Sequence, residues 1–532
     1  MHNPAGSDIT LKDRSVDIDS DWAGGYVTEV GYTHGYYREL SPAFLQLILR
    51  HRKVAARAGR SPRRLELGFG QGVSLAVHAA TCPGEWWGAD INPSHVVHAR
   101  ELIDAAGVKA TVLDSSFAEL ARRDDLPEFD LITVHGVWSW ISDDNRRAIV
   151  ELIRRKLAVG GVLYLSYNCL PGWANLMPLR QLMTEYLDLA GGSETALVRR
   201  IDQAIDYAQR LADTGCGHFR TNPQAVERLK QLVGQNRNYL AHEYFNRNLT
   251  PMTFSEVERQ LAGAKLSYAG SAIPLADIEL SSLPPAAQQL VAEAQHPTLR
   301  ETVRDYLTNQ AFRKDIFVKG RRDMSDIERI ELLRGQRFVL TATGSIPLSI
   351  KTPSGQLQLK EEVYRPILAA LAAQNGVPKP LSALPAHCDW GANTANLMIQ
   401  SVMMLVGIGA IAPAQSEEDI AAALPRTQAL NRYLLQRARG GDEIGVLASP
   451  VTGAGILVPR ISQLFLLAHS RGAATPEAWA HFAWSELEAH GQRLAKDGKV
   501  VESPDDNLAE LKRQASEFGT SLLPLLKALM VA

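Results

Sequence analysis

The chain has 532 residues, 45% of them hydrophobic and 21% charged, with a formal net charge of −2. Such values describe a globular protein too long for one core, so about three domains are expected, and the neutral balance argues against a nucleic-acid surface. Cys82, Cys169, Cys216 and Cys388 lack metal-ligand spacing and are too sparse for a disulfide framework.

Tyr32, Tyr36 and Tyr37 belong to an aromatic N-terminal segment that could fold over a ligand. Arg63 to Leu67 alternates into a short apolar strand, and Val73 to Ala80 has helix-forming composition. Between them lies Leu65-Glu66-Leu67-Gly68-Phe69-Gly70-Gln71-Gly72, an E-x-G-x-G-x-G turn whose main chain can press on a ligand with no Cβ in the way. Glu85 to Asp90 reads as a second strand ending in a carboxylate, with Ile91 following. Asp90 lies 22 positions after Gly68, close to the ~20 expected of a ribose-binding acid. A third strand, Lys109 to Leu113, ends in Asp114, which helix capping explains almost as well as ribose binding; Ser115 reads as the cap. A fourth, Phe129 to His135, enters the loop His135-Gly136-Val137-Trp138-Ser139-Trp140. A fifth, Gly161 to Tyr167, follows a helix stop at 156–161. This rhythm gives right-handed crossovers and a parallel sheet, with the ligand at the carboxyl ends of the strands.

The glycines at 68, 70 and 72 do not have the G-x-G-x-x-G spacing that sets a dinucleotide pyrophosphate on a helix N-terminus. S-adenosylmethionine (SAM) has no phosphate; its amino acid and ribose need carboxylate and backbone partners. The expected cofactor is therefore SAM, held by Glu66, Gly68, Phe69, Gly70, Gly72, Asp90, Ile91, Asp114, Ser115 and His135, with no metal. The expected chemistry is methyl transfer. A sulfonium leaves as a neutral thioether, so catalysis consists largely of holding a deprotonated nucleophile opposite the S–CH₃ bond. The loop after the fourth strand lacks the Asp/Asn-Pro-Pro-Tyr that grips planar amides and is aromatic instead. That suits a lysine, whose ammonium has a reference pKa of ~10.4, lowered by desolvation and a nearby sulfonium, and which aromatic faces attract. Candidate catalytic residues are Trp138, Tyr36, Tyr32, His135, Asn168 and Trp173. Trp138 and Trp140 alternate, so one of them is expected in the core. His242 and Glu243 read either as functional or as a capping or interdomain polar pair.

Met177 to Leu189, Glu194 to Ala212 and Asn222 to Leu240 read as successive helices, Thr253 to Leu261 as another, and Leu266 to Gly270 and Asp315 to Lys319 as strands. Residues 174–251 are thus either a helical insertion, with 252–322 completing the sheet, or part of an independent middle domain. The domain reading is 1–173 for the SAM-binding core, 174–330 for the insertion and middle region, and 331–532 for a C-terminal α+β module. In that module two strands between Ser345 and Leu359 precede helices at Glu361 to Gln374 and Asn393 to Val406. The pattern is winged-helix-like but lacks a dense basic second helix, which favours protein docking or dimer support over DNA reading. Ser449 to Gly455 reads as a plain connector. Leu397 to Pro413 is too short and polar to span a bilayer, and no signal peptide is read, so a cytoplasmic protein without membrane insertion is expected.

Further segments stand out: Tyr26 through Pro42, Ser166 to Trp173 (SYNCLPGW), His242 to Asn246 (HEYFN), Ala264 to Tyr268 and Phe312 to Val318. On these and the glycine turn, the chain resembles the bacterial class I SAM-dependent methyltransferases that carry a methyltransferase regulatory domain. That group includes the rickettsial lysine methyltransferases acting on outer-membrane proteins. The turn is shared by very many methyltransferases, whereas SYNCLPGW and HEYFN are the specific parts. The likeness is clear over roughly residues 20 to 330 and holds in outline beyond. It implies an α/β fold with a class I, Rossmann-like seven-stranded sheet and, from the rickettsial members, a protein lysine as acceptor. A homodimer is left open. The alternatives are a small-molecule or natural-product methyltransferase and a catalytically inactive SAM-sensing regulator.

Overall fold

Strands buried at almost every position need cover on both faces, and here they form the middle of a seven-stranded sheet. The computed structural model describes residues 31–57, 59, 61–190, 196–344, 346–352, 355–385, 394–496 and 499–532. Strands β1 (Arg63–Leu67), β2 (Glu85–Asp90), β3 (Ala110–Asp114), β4 (Phe129–Val134) and β5 (Leu157–Asn168) run parallel. Strands β6 (Leu266–Ser271) and β7 (Phe312–Lys319) close the sheet, with β7 antiparallel to both β5 and β6. The order is β3-β2-β1-β4-β5-β7-β6, the expected α/β arrangement.

Alternation along the strands divides the core. Leu163 and Leu165 of β5 face a cluster with α4 (Phe117–Arg122), α5 (Asp143–Lys156) and α11 (Phe254–Ala262), the last begun by a Thr253/Glu256 capping box. Val162 and Tyr164 face the other way, toward α1 (Pro42–His51) and the C-terminal module. On that same side α2 (Val73–Thr81) and α3 (Pro93–Ala106) share a cluster with C-terminal helices. β5 begins at Leu157 rather than Gly161, because α5 passes directly into the strand and the irregular register at its start is absorbed near Gly160, at φ +79°.

Between β5 and α11 the chain leaves the sheet for α6 (Met177–Leu189), α7 (Leu197–Asp213), α8 (Gly217–Thr221), α9 (Pro223–Val233) and α10 (Arg237–Tyr244). These helices share their own cluster, which takes in Trp140 and Trp173. Asn222 to Leu240, read as one helix, is two: α9 stops at Gly234, and Asn236 caps α10 by accepting from the Asn238 and Tyr239 amides at 2.9 and 3.2 Å. A further helix, α12 (Pro297–Thr308), precedes β7.

The C-terminal part places Arg337–Leu340 between Lys379–Pro380 and Ile411–Ala414 in a three-stranded antiparallel sheet. Ser349–Thr352 and Gly355–Gln358 pair as the expected hairpin, followed by helices Glu361–Gly376 and Thr394–Gly407; Met398, Ile399 and Val402 to Val406 of the latter are buried. Helix α13 (Glu417–Arg437) packs on α2 and α3. Ser449 to Gly455 does more than connect: it closes a hairpin against the start of α1 and the end of α2. The Gly453 carbonyl accepts from Ser41 Oγ at 3.0 Å, and Gln415 Nε2 donates to the carbonyls of Thr81 and Pro450 at 2.9 and 2.7 Å. Among the described residues no helix is long and apolar enough to cross a membrane, and no metal-binding cluster occurs.

Candidate functional site

The turn after β1 follows from its glycines. Gly68, Gly70 and Gly72 all have positive φ, a region costly for residues with a Cβ. Gly72 begins α2 against α3, where a Cβ would lie 2.4 Å from Ala99 Cβ and 2.9 Å from its Cα. Gly72→Ala therefore adds backbone strain to a backbone clash. It is expected to lose about 2–4 kcal/mol in urea denaturation; an unchanged midpoint would refute this close-approach role.

Asp90, at the end of β2, organises the turn. Its Oδ2 accepts from the Gly70 amide at 2.8 Å, and its Oδ1 accepts from the Asn92 amide at 2.9 Å and lies 3.1 Å from His95 Nδ1. Oδ2, with this one partner among the described residues, thus keeps acceptor capacity for a ligand hydroxyl. Glu66, on β1, is buried, and no hydrogen bond or ion pair satisfies it among the described residues. Burial, with Asp90 nearby, pushes its carboxyl up to about 8.

A cleft opens over these strand ends. It is lined by Glu66, Gly68, Phe69, Gly70, Gln71, Asp90, Ile91, Ser115, Ser116, Phe117, His135, Gly136, Val137, Trp140, Ile141 and Asn145 from the sheet side. Tyr32, Thr33, Gly35 and Tyr37 cover it from the N-terminal segment, and His242, Glu243 and Asn246 from the insertion. Three carboxyl groups face it, and neither Lys nor Arg is among its described lining residues. The N-terminal segment is tied down by the Tyr37 amide donating to Ser74 Oγ at 2.9 Å and by Gln71 Nε2 donating to the Tyr32 carbonyl at 3.3 Å. His135 packs at a tilt against Tyr37 with ring centres 3.8 Å apart, and its Nδ1 lies 3.0 Å from Tyr164 Oη and 3.1 Å from Ser166 Oγ. Burial, then the charge of Lys314, lowers it to about 3, so the ring is neutral near pH 7.

Of the expected site residues, the cleft brings together Tyr32, Glu66, Gly68, Phe69, Gly70, Asp90, Ile91, Ser115 and His135. Six others lie elsewhere. Gly72 spaces α2 from α3, and Asp114 is exposed at the end of β3. Trp138 is fully buried among α5, β5 and α11, and its neighbour Trp140 lines the cleft instead. Tyr36 points to the C-terminal hairpin, where its hydroxyl accepts from the Gly455 amide at 2.6 Å; Tyr37, on the opposite side of the extended segment, takes the cleft. Asn168 is buried, with its amide donating to Ser139 Oγ at 2.9 Å. Trp173 packs inside the insertion against Tyr244, ring centres 5.9 Å apart. The helix cap is Ser116 rather than Ser115, in a capping box with Glu119. Asn246 joins the cleft without having been expected there, although the i, i+4 spacing of His242 and Asn246 signals a shared face.

The residues present fit SAM. An unpaired, buried Glu66 suits the ammonium of the methionine part, Asp90 and the Gly70 loop the ribose, and Ile91, Phe117 and Val137 with the Ser115 hydroxyl the adenine. A cleft that offers carboxyl groups and, among the described residues, no Lys or Arg suits a sulfonium and disfavours a pyrophosphate.

Known proteins agree. A methyltransferase domain model matches residues 65–161, and a "predicted methyltransferase regulatory domain" model matches 236–319. An uncharacterised protein of Synechocystis sp. is 38% identical over 517 residues, 96% of this chain and 100% of that one. An uncharacterised protein of Rickettsia prowazekii is 26% identical over 57% of this chain and 56% of its own length. Among solved structures, PKMT2 of Rickettsia typhi in complex with AdoHcy has a TM-score of 0.65 at 18% identity, covering 94% of this chain and 99% of that one, which supports the fold. With its glycine turn, anchored strand-end acid and regulatory region lining one cleft, the chain belongs to the bacterial class I SAM-dependent methyltransferases that carry a methyltransferase regulatory domain.

Proposed function

We propose that the protein methylates a protein acceptor at a lysine side chain. The observation that carries this reading is the lining of the cleft, where Tyr32, Tyr37 and Trp140 share the space with the Glu243 carboxylate, which the Tyr32 hydroxyl contacts, and no Lys or Arg occurs among the described lining residues. Aromatic faces and a carboxylate attract an alkylammonium and its methylated forms. SAM supplies the methyl group on a cationic sulfur. The chain's own part is to exclude water with the N-terminal segment, hold the amine beside the aromatic rings and remove its proton. The insertion and the C-terminal module favour a macromolecular acceptor, because a small molecule requires no extra docking surface. The fold shared with PKMT2 of Rickettsia typhi supports the same choice.

The test is incubation of the pure protein with methyl-labelled SAM and bacterial lysate. Label in protein bands, mapped to lysine by fragment mass, is the expected result. Label confined to extractable small molecules would assign the enzyme a small-molecule acceptor. SAM binding without any turnover would make it a sensor.

A further inference from the structure

Glu243 occupies an unfavourable position for a carboxylate. It lies in the last turn of α10, where the helix dipole disfavours an anion, and it lines the cleft while mostly withdrawn from water. Its one hydrogen bond among the described residues is from the Tyr32 hydroxyl, at 3.4 Å the outer limit of such contacts. Among the described residues the cation whose charge acts on it, Arg228 of α9, is committed elsewhere, with Nε donating to Tyr244 Oη at 2.6 Å and Nη1 to Gln231 Oε1 at 3.1 Å. The other titratable groups around it are Tyr37 from the N-terminal segment and Tyr239, His242 and Tyr244 from its own helix. None of these supplies a fixed positive charge. A carboxylate kept in such a place lacks a cationic partner that a ligand can bring.

We propose that Glu243 is the acceptor-side catalytic residue, binding the substrate's alkylammonium and removing its proton, with the Tyr32 hydroxyl orienting the carboxylate. The proposal rests on the lysine reading above and names the group that reading left open. In the step, an N–H bond of R–NH₃⁺ breaks and an O–H bond forms on Glu243, giving R–NH₂ and the carboxylic acid. The nitrogen keeps the electron pair that attacks the methyl carbon, and the C–S pair stays on sulfur. The product R–NH₂–CH₃⁺ leaves, and Glu243 returns its proton to water. Two facts favour Glu243 over His135. Burial raises Glu243 to about 7, near the pH at which a base works best, whereas His135 is held down to about 3. Further, His135 Nδ1 is already occupied by Tyr164 and Ser166.

The test is Glu243→Gln, which keeps the shape and removes the charge, beside Glu243→Asp, which keeps the charge and withdraws it. Calorimetry with S-adenosylhomocysteine checks that the cofactor end is intact; affinity within about threefold of the parent is expected for both. Titration of n-butylammonium into each loaded protein should show a loss of tenfold or more in Glu243→Gln and partial retention in Glu243→Asp. In the labelled-SAM assay, kcat/KM of the parent should fall on the acid side with a midpoint near 7, and that limb should vanish in Glu243→Gln along with about 10²–10⁴ of the rate. Lysine labelling with an unchanged rate, pH profile and butylammonium affinity in Glu243→Gln overturns the role of Glu243 and leaves the lysine reading standing. Label on a residue other than lysine in the parent overturns that reading and this proposal together.

Discussion

Replacing Glu66 with Gln is expected to make the ligand-free protein more stable and to weaken SAM binding strongly. Burial raises this carboxyl from 4.5 to about 8 in the folded state. Between those limits the native state binds a proton that the unfolded chain has lost, so stability falls as pH rises from about 4.5 toward 8. At pH 7 the cost is on the order of 3 kcal/mol. Glu66→Gln removes it, so its gain in urea midpoint over the parent should be absent at pH 4 and grow through pH 8. The ammonium of SAM would meanwhile lose its buried counter-charge, for about 2–5 kcal/mol, or roughly 30- to 4000-fold in affinity. A separate signature comes from protons. At pH 7 the parent carboxyl is mostly protonated and must ionise to pair with a cation, so SAM binding should release nearly one proton, and none in Glu66→Gln. Calorimetry in buffers of different ionisation enthalpy measures this directly. Equal proton release by both proteins would remove Glu66 from the site. Stability given up at a functional carboxylate matches the general trade-off between activity and folding.

The sheet was legible in the sequence because its signals are local. Leu65 to Gly72, the acid at Asp90 and the strand-like run at Phe129 to Val134 each carry their own pattern, and parallel strands with short crossovers can be arranged in few ways. Side-chain direction was less legible. Tyr36 and Tyr37 are adjacent in an extended segment, and only the docking of the C-terminal hairpin decides that Tyr36 meets Gly455 while Tyr37 meets His135. Trp138 and Trp140 sit on a 3₁₀ turn, where strand alternation no longer assigns sides, so the core took Trp138 and the cleft Trp140. Long-range contacts were the least legible. Ser449 to Gly455 has the composition of a connector, and its grip on Ser41 and on the end of α2 depends on residues some 370 to 410 positions away. His98 is similar: its Nδ1 lies 2.7 Å from the Gln71 carbonyl and its Nε2 2.9 Å from Arg437 of α13, joining the C-terminal module to the glycine turn.

Arg313→Met is expected to destabilise the fold by about 3–5 kcal/mol. Arg313 lies on β7, 6% exposed, and holds three carboxylates: Glu301 at 2.8 Å and Asp305 at 2.5 Å on α12, and Asp315 at 2.8 Å on its own strand. Its guanidinium also stands 4.6 Å from the Phe254 ring centre, and Tyr167 donates to Asp315 at 2.8 Å. The group therefore ties α12 and α11 to the sheet edge that adjoins β5. Methionine fills much of the volume but leaves three buried carboxylates with Arg304 alone, 3.0 Å from Glu301. Lysine keeps the charge without the planar fork, so Arg313→Lys should lie between the two. The pH dependence separates lost charge pairing from lost packing. In the parent, the Arg304 and Arg313 charges hold the Glu301 carboxyl below its usual range, so its contribution is present above the unfolded value of 4.5 and disappears as pH falls through the lower folded value. Burial keeps Asp305 up at about 6 even beside Arg313. Without the guanidinium, Glu301 and Asp305 lose a charge that holds them down against burial, so the variant should gain stability as pH falls from 7 to 5, relative to the parent. Urea midpoints at those two pH values, followed by far-ultraviolet circular dichroism, provide the measurement. A loss that is the same at both would assign the effect to packing, and a loss below about 1 kcal/mol would show that the network contributes little to the fold.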